Sequence, residues 1–191
     1  MKATILNGSP RDDTVFADIH SVINDELKAN GWEVESFKLN ELKINHCVGC
    51  FHCWLKTPGE CRFKDDAPEI ARQFVQSDLS IFLTPITFGG YSSHLKKALD
   101  RIICVISPFF MILNNEMHHK PRYEKYPNVL GLGVLPGQDK QSEKIFTKLI
   151  ERNAINMHTP THHAEVLISD QGLEVIKQQV QSSLSKVGVS K

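Results

Sequence analysis

Apolar residues follow two different periods along the chain, and their alternation predicts the order of its elements. Continuous or alternating apolar runs predict strands over residues 3–7, 34–39, 79–84, 129–135 and 163–169. Between these runs, apolar residues recur at steps of three and four, which predicts helices over residues 13–30, 66–76, 92–105, 139–150 and 173–184. The near-continuous runs at residues 79–84 and 129–135 are typical of parallel strands buried on both faces.

The β–α alternation predicts an α/β domain built on a doubly wound parallel sheet of five strands, in a three-layer α/β/α arrangement. No internal repeat or linker interrupts the pattern, so we expect one domain over residues 1–191. Two stretches fall outside the alternation. They are a cysteine-rich loop at residues 46–66 and a long polar and aromatic connection at residues 106–127.

Polar residues mark the expected ends of the helices. Asp12 or Asp13 is expected to cap the first helix. Asp66 together with Glu69 is expected to form a capping box on the helix that follows the cysteine-rich loop. The tail at residues 187–191 is expected to fray.

The composition limits the class of protein. The chain carries 22 Lys and Arg against 22 Asp and Glu, and this balance argues against binding to nucleic acid. No apolar run approaches the roughly 20 residues of a membrane span, and the first residues lack the apolar stretch of a secretory signal. Four of the five cysteines lie in one loop, which favours thiol or metal chemistry over a disulfide framework. We therefore expect a cytoplasmic protein with no membrane or nucleic-acid partner.

The turn after the first strand has the features of an anion site. Ligands of doubly wound sheets bind beyond the carboxyl ends of the strands, where helix N-termini present free amides. In residues 8–14, Ser9 and Thr14 add hydroxyl donors, and Arg11 adds a guanidinium that suits phosphate. The Walker and G-x-G-x-x-G patterns are missing, so a monophosphate fits better than a nucleoside triphosphate or a dinucleotide. An ordinary capped turn is the alternative.

Two further turns at the same edge of the predicted sheet are rich in glycine and proline. Glycines let a backbone approach a flat ligand closely, and the aromatic residues could stack on or shield a ring. A simple chain reversal covered by aromatic side chains is the alternative. The candidate residues of the second turn are Pro85, Ile86, Thr87, Phe88, Gly89, Gly90 and Tyr91, and those of the weaker third turn are Pro136 and Gly137.

The loop at residues 46–66, HCVGCFHCWLKTPGECRFKDD, concentrates four thiols with the spacing C-x2-C-x2-C-x7-C. Three interpretations are open: the thiols ligate an iron–sulfur cluster, they bind zinc with help from nearby histidines, or they are free groups in a loop over another cofactor. Zinc is the least favoured, because zinc modules usually use two separated C-x2-C pairs. The candidate ligands are Cys47, Cys50, Cys53 and Cys61.

Two other features carry weaker signals. Cys104 lies in the apolar run IICVI and is expected to pack in the core. Residues 116–126, EMHHKPRYEKY, hold two adjacent histidines and three cations. This segment either grips an anionic substrate or cofactor phosphate, or it forms a subunit contact or a solvated face, and the second interpretation is preferred.

Three motifs taken together resemble a known family. LNGSPR after the first strand, the cysteine stretch, and TPITFGG before LKKALDR resemble the flavodoxin-like NADPH-dependent FMN reductase family, in particular its branch of iron–sulfur flavoproteins. The resemblance covers residues 2–135 and implies a flavodoxin-like fold that binds FMN. It implies a phosphate site at Ser9, Arg11 and Thr14, an isoalloxazine site at residues 85–91, and, for the iron–sulfur branch, a [4Fe–4S] cluster on the four cysteines.

The sequence departs from the family at one point. Thr14-Val15-Phe16 stands where the family often carries Ser-Asn-Thr, so two side-chain phosphate donors are missing. This departure affects the expected affinity for FMN more than the identity of the site.

The resemblance implies an FMN-dependent oxidoreductase with NAD(P)H as co-substrate, whose flavin carries the chemistry without a catalytic side chain. Its expected acceptor is a quinone, a nitro compound, a flavin or a redox protein, and the sequence does not choose among them or between NADH and NADPH. Two alternatives are an iron–sulfur electron carrier and a non-catalytic redox- or metal-sensing module. We expect a homo-oligomer, with the connection at residues 106–127 as a candidate dimer contact.

Overall fold

A computed structural model describes residues 1–10 and 12–189 of the chain. Its strands are β1 (Lys2–Asn7), β2 (Glu33–Lys38), β3 (Leu79–Pro85), β4 (Ile106–Leu113), β5 (Glu116–Pro121), β6 (Asn128–Leu135) and β7 (His162–Ile168). Its helices are α1 (Thr14–Ala29), α2 (His52–Leu55), α3 (Ala67–Gln76), α4 (Ser93–Arg101), α5 (Lys140–Asn156) and α6 (Leu173–Lys186).

The strands predicted from the sequence form one parallel sheet, in the order β2-β1-β3-β6-β7. Helices α1 and α6 pack on one face of this sheet, and α3, α4 and α5 pack on the other. The predicted flavodoxin-like, doubly wound α/β/α architecture is therefore confirmed. The strand order reverses between β1 and β3, so ligands are expected at the carboxyl ends of these two strands.

Two glycines of β6 let a neighbouring helix and a neighbouring turn pack closely against the sheet. A Cβ atom at Gly131 would lie 2.3 Å from Cδ1 of Ile150, and one at Gly133 would lie 2.6 Å from Cδ1 of Ile86. The two glycines thus admit Ile150 of helix α5 and Ile86 of the turn after β3 against the sheet. The turn that is expected to hold a flat ligand is anchored in the core by Ile86.

The connection at residues 106–127 contains an antiparallel hairpin of β4 and β5, which the sequence did not predict. Asn114 and Asn115 have φ angles of 52° and 62°, as a type I′ turn requires. The helix predicted to run to residue 105 ends at Arg101 and continues as one 3₁₀ turn over Ile102–Val105. The hairpin therefore starts directly from the end of this turn.

The capping box predicted at Asp66 and Glu69 is wrong. The Asp66 carboxylate accepts a hydrogen bond from the backbone N–H of Lys43, and Glu69 pairs with Arg72. Asp65, one residue earlier, accepts from the N–H of Ala67 instead. Asp65 and Asp66 thus attach the end of the cysteine-rich loop to the residues before it, Lys43 and Asn45, and do not form a capping box.

The prediction that the tail frays is wrong for the part that the structure describes. Val187 and Val189 are buried against the layer of α1 and α6. Ser190 and Lys191 lie outside the described residues. Within the described part of the chain, no helix is long and apolar enough to cross a membrane.

Candidate functional site

The turn between β1 and α1 is held by two asparagine side chains. Oδ1 of Asn7 accepts a hydrogen bond from the backbone N–H of Ser9 at 3.0 Å, and Nδ2 of Asn40 donates to the Ser9 carbonyl, also at 3.0 Å. Ser9 is buried as a result. Sequence reasoning selected Ser9 but missed Asn7 and Asn40, although an asparagine at the end of a strand is a recognised turn signal.

Ser92 joins the turn after β1 to the turn after β3. Its Oγ donates to the Gly8 carbonyl at 2.7 Å and accepts from the N–H of Leu95 at 3.3 Å, which makes it the N-cap of α4. Its own N–H donates to Oγ1 of Thr84 at 2.9 Å. A Cβ atom at Gly8 would lie 2.7 Å from Oγ of Ser92, so only glycine allows this contact. The two turns at the switch point are therefore fixed relative to each other.

A cavity of about 790 Å³ lies beside the turn between β1 and α1. Ser9 and Thr14 line it, so the structure brings together these two candidate phosphate residues. Lys38 and His20 also line it, and burial followed by the charge of Lys38 lowers the pKa of His20. The third candidate, Arg11, lies outside the described residues.

Asp13 is the N-cap of α1, as predicted, and this limits the room for an anion. Its Oδ1 accepts from the N–H of Phe16 at 3.2 Å, so its carboxylate already occupies one free amide of the helix. Asp12 and Glu41 add further negative charge to the cavity lining. A phosphate group here would rely on the remaining amides and on the hydroxyl groups of Ser9 and Thr14.

The turn after β3 has the geometry of a type I′ turn. Thr87 and Gly90 exchange two backbone hydrogen bonds of 3.0 and 2.9 Å, and Phe88 and Gly89 have φ angles of 50° and 77°. Phe88 is fully exposed at the tip, which leaves its ring available to a ligand. A Cβ atom at Gly89 would lie 2.7 Å from Cγ2 of Ile145, so this side of the turn rests on α5. The turn therefore presents a fixed backbone edge with one free aromatic ring.

Two glycines of the candidate ring site have no packing reason to be glycine. A Cβ atom at Gly137 would meet nothing within 4 Å among the described residues, and one at Gly90 would meet only the Thr87 carbonyl, at an ordinary 3.5 Å. Space beside these backbones suits a flat group that approaches them closely. This is the observation of the structure that fits an isoalloxazine ring.

Tyr91 does not shield a ligand as the sequence suggested. Its ring packs edge-on against Phe82 and Phe146, and its hydroxyl accepts a hydrogen bond from Nδ2 of Asn153 at 2.7 Å. Burial outweighs this hydrogen bond and raises the pKa of Tyr91. Tyr91 therefore supports the turn from the core side.

The four clustered cysteines line one cavity of about 100 Å³. They are free thiols, with Cys47 and Cys50 exposed and Cys53 and Cys61 partly buried. Burial, and then the nearby thiols of Cys61, Cys47 and Cys50, raise the pKa of Cys53. The structure thus brings together the residues that the sequence spacing suggested. Among the described residues, no group of three or more His, Cys, Asp or Glu side chains is placed to hold a single metal ion.

Trp54 fastens the short helix α2 of this loop to the hairpin. Its indole N–H donates to the Ile106 carbonyl at 3.0 Å, and its ring lies 4.8 Å from that of His119 and 5.5 Å from that of Phe51. The ring of His119 in turn packs at a tilt against that of Phe110, with the ring centres 4.6 Å apart. The cysteine cavity is therefore bounded by a loop that is tied to the start of β4.

A buried ion pair between Asp65 and Arg101 borders the same cavity. The carboxylate and guanidinium form two hydrogen bonds of 2.7 and 3.0 Å, and both side chains are 1% exposed. Burial raises the pKa of Asp65, but the hydrogen bonds from Arg101 and Asn45 outweigh it and hold this pKa well below its usual range. Sequence reasoning missed the pair. The available signal was the position of Arg101, three residues after Ala98 on the apolar face of α4.

The remaining candidates play structural roles. Cys104 is buried as predicted, and burial, then the nearby thiols of Cys53 and Cys61, raise its pKa to about 12. The solvated-face interpretation of residues 116–126 is wrong for His118. Its ring is buried and is hydrogen-bonded to Asn156 at 2.8 Å and to Glu116 at 3.1 Å.

Comparisons with known proteins agree with the fold and with the motifs. Residues 1–124 match the family described as NADPH-dependent FMN reductase. An iron–sulfur flavoprotein from Archaeoglobus fulgidus is 34% identical over 103 residues, which are 54% of this chain and 46% of the relative. An iron–sulfur flavoprotein from Methanocaldococcus jannaschii is 34% identical over 101 residues, 53% of this chain and 51% of the relative. The chain spans about half the length of these curated relatives.

Solved structures resemble the chain over nearly its whole length. An NAD(P)H:quinone oxidoreductase from Methanothermobacter marburgensis has a TM-score of 0.73 at 12% identity and covers 95% of this chain and 94% of its own. An FMN-dependent NADH-azoreductase from Bacillus anthracis, solved with FMN, has a TM-score of 0.67 at 16% identity and covers 96% and 97%. At such low identity these matches show the fold.

Proposed function

The chain belongs to the NADPH-dependent FMN reductase family, and from this premise we propose that it is an FMN-dependent oxidoreductase that uses NAD(P)H as its electron donor. The single observation that carries the proposal is the pair of fixed turns at the switch point, joined by Ser92, with open space beside Gly90 of the second turn and beside Gly137 on the turn after β6. Bound FMN supplies a ring that accepts a hydride and passes two electrons to an acceptor.

The residues of the chain supply binding and orientation. The amides at the start of α1, with Ser9 and Thr14, would hold the FMN phosphate. The backbone edge from Thr87 to Gly90 would lie along the isoalloxazine ring, with Gly137 on the neighbouring turn. Phe88, exposed at the tip, would cover the ring or a bound nicotinamide. No side chain has to exchange protons with the substrate in this arrangement.

The proposed activity is tested by oxidation of NADPH and NADH with a soluble quinone as acceptor. Protein stripped of flavin should be inactive, and activity should rise with added FMN until one FMN is present per chain. The same FMN concentration without protein is the control. A rate with protein that equals the rate of free FMN would rule out the proposed enzyme.

An iron–sulfur flavoprotein is the second candidate, and the specific observation in its favour is the single cavity lined by Cys47, Cys50, Cys53 and Cys61. Four thiolates around one cavity are the donor set of a [4Fe–4S] cluster, in which each binds a different iron. Such a cluster supplies one-electron transfer. Anaerobically purified protein should contain about four irons per chain if this is its cofactor, and a Cys50→Ser variant should lose them. Iron-free protein from such a preparation would contradict the candidate.

Cytoplasmic location, a homodimer and a single domain over residues 1–191 are further parts of the proposal. The balanced charge argues against a nucleic-acid partner, and the proposed acceptor is a small molecule or a redox protein. The exposed apolar residues of the hairpin support a subunit contact. The identity of the acceptor is to be found by comparing quinone, nitro and flavin substrates in the same assay.

A further inference from the structure

The cysteine cavity is lined by positive charge. Beside its four cysteines and its apolar residues, its charged lining residues are Arg62 and Arg101, of which Arg101 is paired with Asp65 behind it. Within the described part of the chain, no carboxylate lines the cavity. Thiols bind metal as thiolates, so an occupant ligated by the four cysteines would bring a concentration of negative charge. The lining therefore suits an anionic occupant.

Arg101 is held rigidly at the edge of this cavity. Its Nη1 donates to Oδ2 of Asp65 at 2.7 Å and to the Asn45 carbonyl at 2.8 Å, and its Nη2 donates to Oδ1 of Asp65 at 3.0 Å. Asp65 in turn accepts from the backbone N–H and the side-chain amide of Asn45, each at 2.9 Å. The guanidinium also lies over the ring of Phe63, with Cζ 5.1 Å from the ring centre. These contacts fix the plane of the guanidinium.

One donor of this guanidinium is left over. Nε of Arg101 is buried and has no hydrogen-bond partner among the described residues. An unpartnered buried N–H weakens a fold, and a buried ion pair is seldom more stabilising than apolar residues of the same volume. The ion pair with Asp65 accounts for the charge of Arg101, but a purely structural role leaves its Nε donor without a partner. A sulfur-ligated anion in the adjoining cavity would supply that partner.

We propose that Arg101 is a positioning residue for an iron–sulfur cluster on the four cysteines. Asp65 holds the guanidinium at the edge of the cavity that the four cysteines line, where its charge and its unpartnered Nε hydrogen are available to the sulfur ligands. Hydrogen bonds to sulfur and nearby positive charge favour the reduced, more negative form of a cluster and so raise its reduction potential. This inference rests on the iron–sulfur candidate function.

The test compares reduction potentials of three proteins, each purified anaerobically with its flavin. Iron content is measured first, and the cluster is then titrated with dithionite and followed by electron paramagnetic resonance. Arg101→Gln removes the positive charge and the guanidinium group with all its N–H donors. It should shift the one-electron reduction equilibrium at least tenfold toward the oxidised form, which is 59 mV for one electron. Arg101→Lys keeps the charge and loses Nε, so its shift should be smaller.

Lys96→Gln is the matched control, because Lys96 is an exposed cation on the same helix that pairs with Asp100. Its potential should equal that of the wild type. If Arg101→Gln is insoluble, the change in reduction potential of Arg101→Lys relative to the wild type serves as the test. Wild-type protein without iron would overturn the cluster and the role of Arg101 together. Iron-loaded variants with unchanged potentials would overturn the role of Arg101 alone and leave the cluster in place.

Discussion

At the residue scale, the Asp65–Arg101 pair decides how the cysteine-rich loop is attached to the rest of the molecule. The pair connects the end of the loop to α4, and Asp65 also accepts hydrogen bonds from Asn45, just before the loop, and from the N–H of Ala67 at the start of α3. The Asp65 carboxylate therefore joins the two ends of the loop to each other and to helix α4. Loss of either partner would leave the other charge buried without compensation.

Asp65→Asn is expected to destabilise the fold by about 3–5 kcal/mol, because it breaks a buried ion pair and leaves Arg101 charged. Urea unfolding at pH 7 measures this loss. Asp100→Asn, which removes an exposed partner of Lys96, is the control and should cost about 0–1 kcal/mol. Equal effects of the two substitutions would show that the Asp65 pair contributes no more than a surface pair.

The same carboxylate makes stability depend on pH in a defined direction. The folded-state pKa of Asp65 lies below its unfolded value of about 3.9. The contribution of the ionised Asp65 carboxylate to the free energy of unfolding is therefore fully present above pH about 4. It is lost as the pH falls through the lower folded-state pKa. The difference in unfolding free energy between wild type and Asp65→Asn should be constant from pH 5 to 7 and shrink below about pH 4. A difference that grows on acidification would contradict this assignment.

At the element scale, the candidate flavin site consists of turns whose positions were predictable from the sequence. Gly8-Ser9 and Phe88-Gly89-Gly90 follow buried apolar runs, and such runs locate the carboxyl ends of strands. The contact that joins the turns was not predictable. In the sequence Ser92 is typical of an ordinary helix N-cap. Its hydrogen bond to the Gly8 carbonyl links residues 84 positions apart, and no local pattern indicates it.

Ser92→Ala should weaken both the fold and the affinity for FMN, because it removes an N-cap and the link between the two turns. The expected loss of stability is about 1–2 kcal/mol. Thermal unfolding without flavin measures the first effect, and a fluorescence titration with FMN measures the second. Ser93→Ala, the exposed neighbour, should change neither. Unaltered FMN affinity in Ser92→Ala would show that the link does not shape the site.

The hairpin of β4 and β5 shows why part of the fold escaped prediction. Apolar residues stand on both sides of β4, with Phe109 68% and Phe110 57% exposed, so the strand lacks the alternation that marks a half-buried strand. Its turn is Asn-Asn rather than the more telling Asn-Gly. The segment is held instead by distant contacts, those of His118 with Asn156 and of Trp54 with Ile106.

At the scale of the whole molecule, exposed apolar side chains gather on the hairpin. Phe109, Phe110, Ile112 and Met117 are each more than half exposed. Contiguous exposed apolar surface commonly marks a contact with another protein. A second copy of the chain is the partner that the proposed homodimer requires.

Ile112→Lys should therefore shift the protein from dimer to monomer in sedimentation velocity, because it places a charge in the proposed contact. Val175→Lys on α6, a similarly apolar and partly exposed position on the opposite layer, is the control and should leave the mass unchanged. A wild-type protein that sediments as a monomer at micromolar concentration would contradict the dimer.

Titration of flavin-free protein with FMN tests the central claim most directly. Flavin fluorescence should be quenched or shifted on binding, with an end point of one FMN per chain. Riboflavin, which lacks the phosphate, should bind much more weakly if the amides of α1 with Ser9 and Thr14 hold that group, as proposed. No binding of FMN, or equal affinity for FMN and riboflavin, would contradict the site described at the ends of β1 and β3.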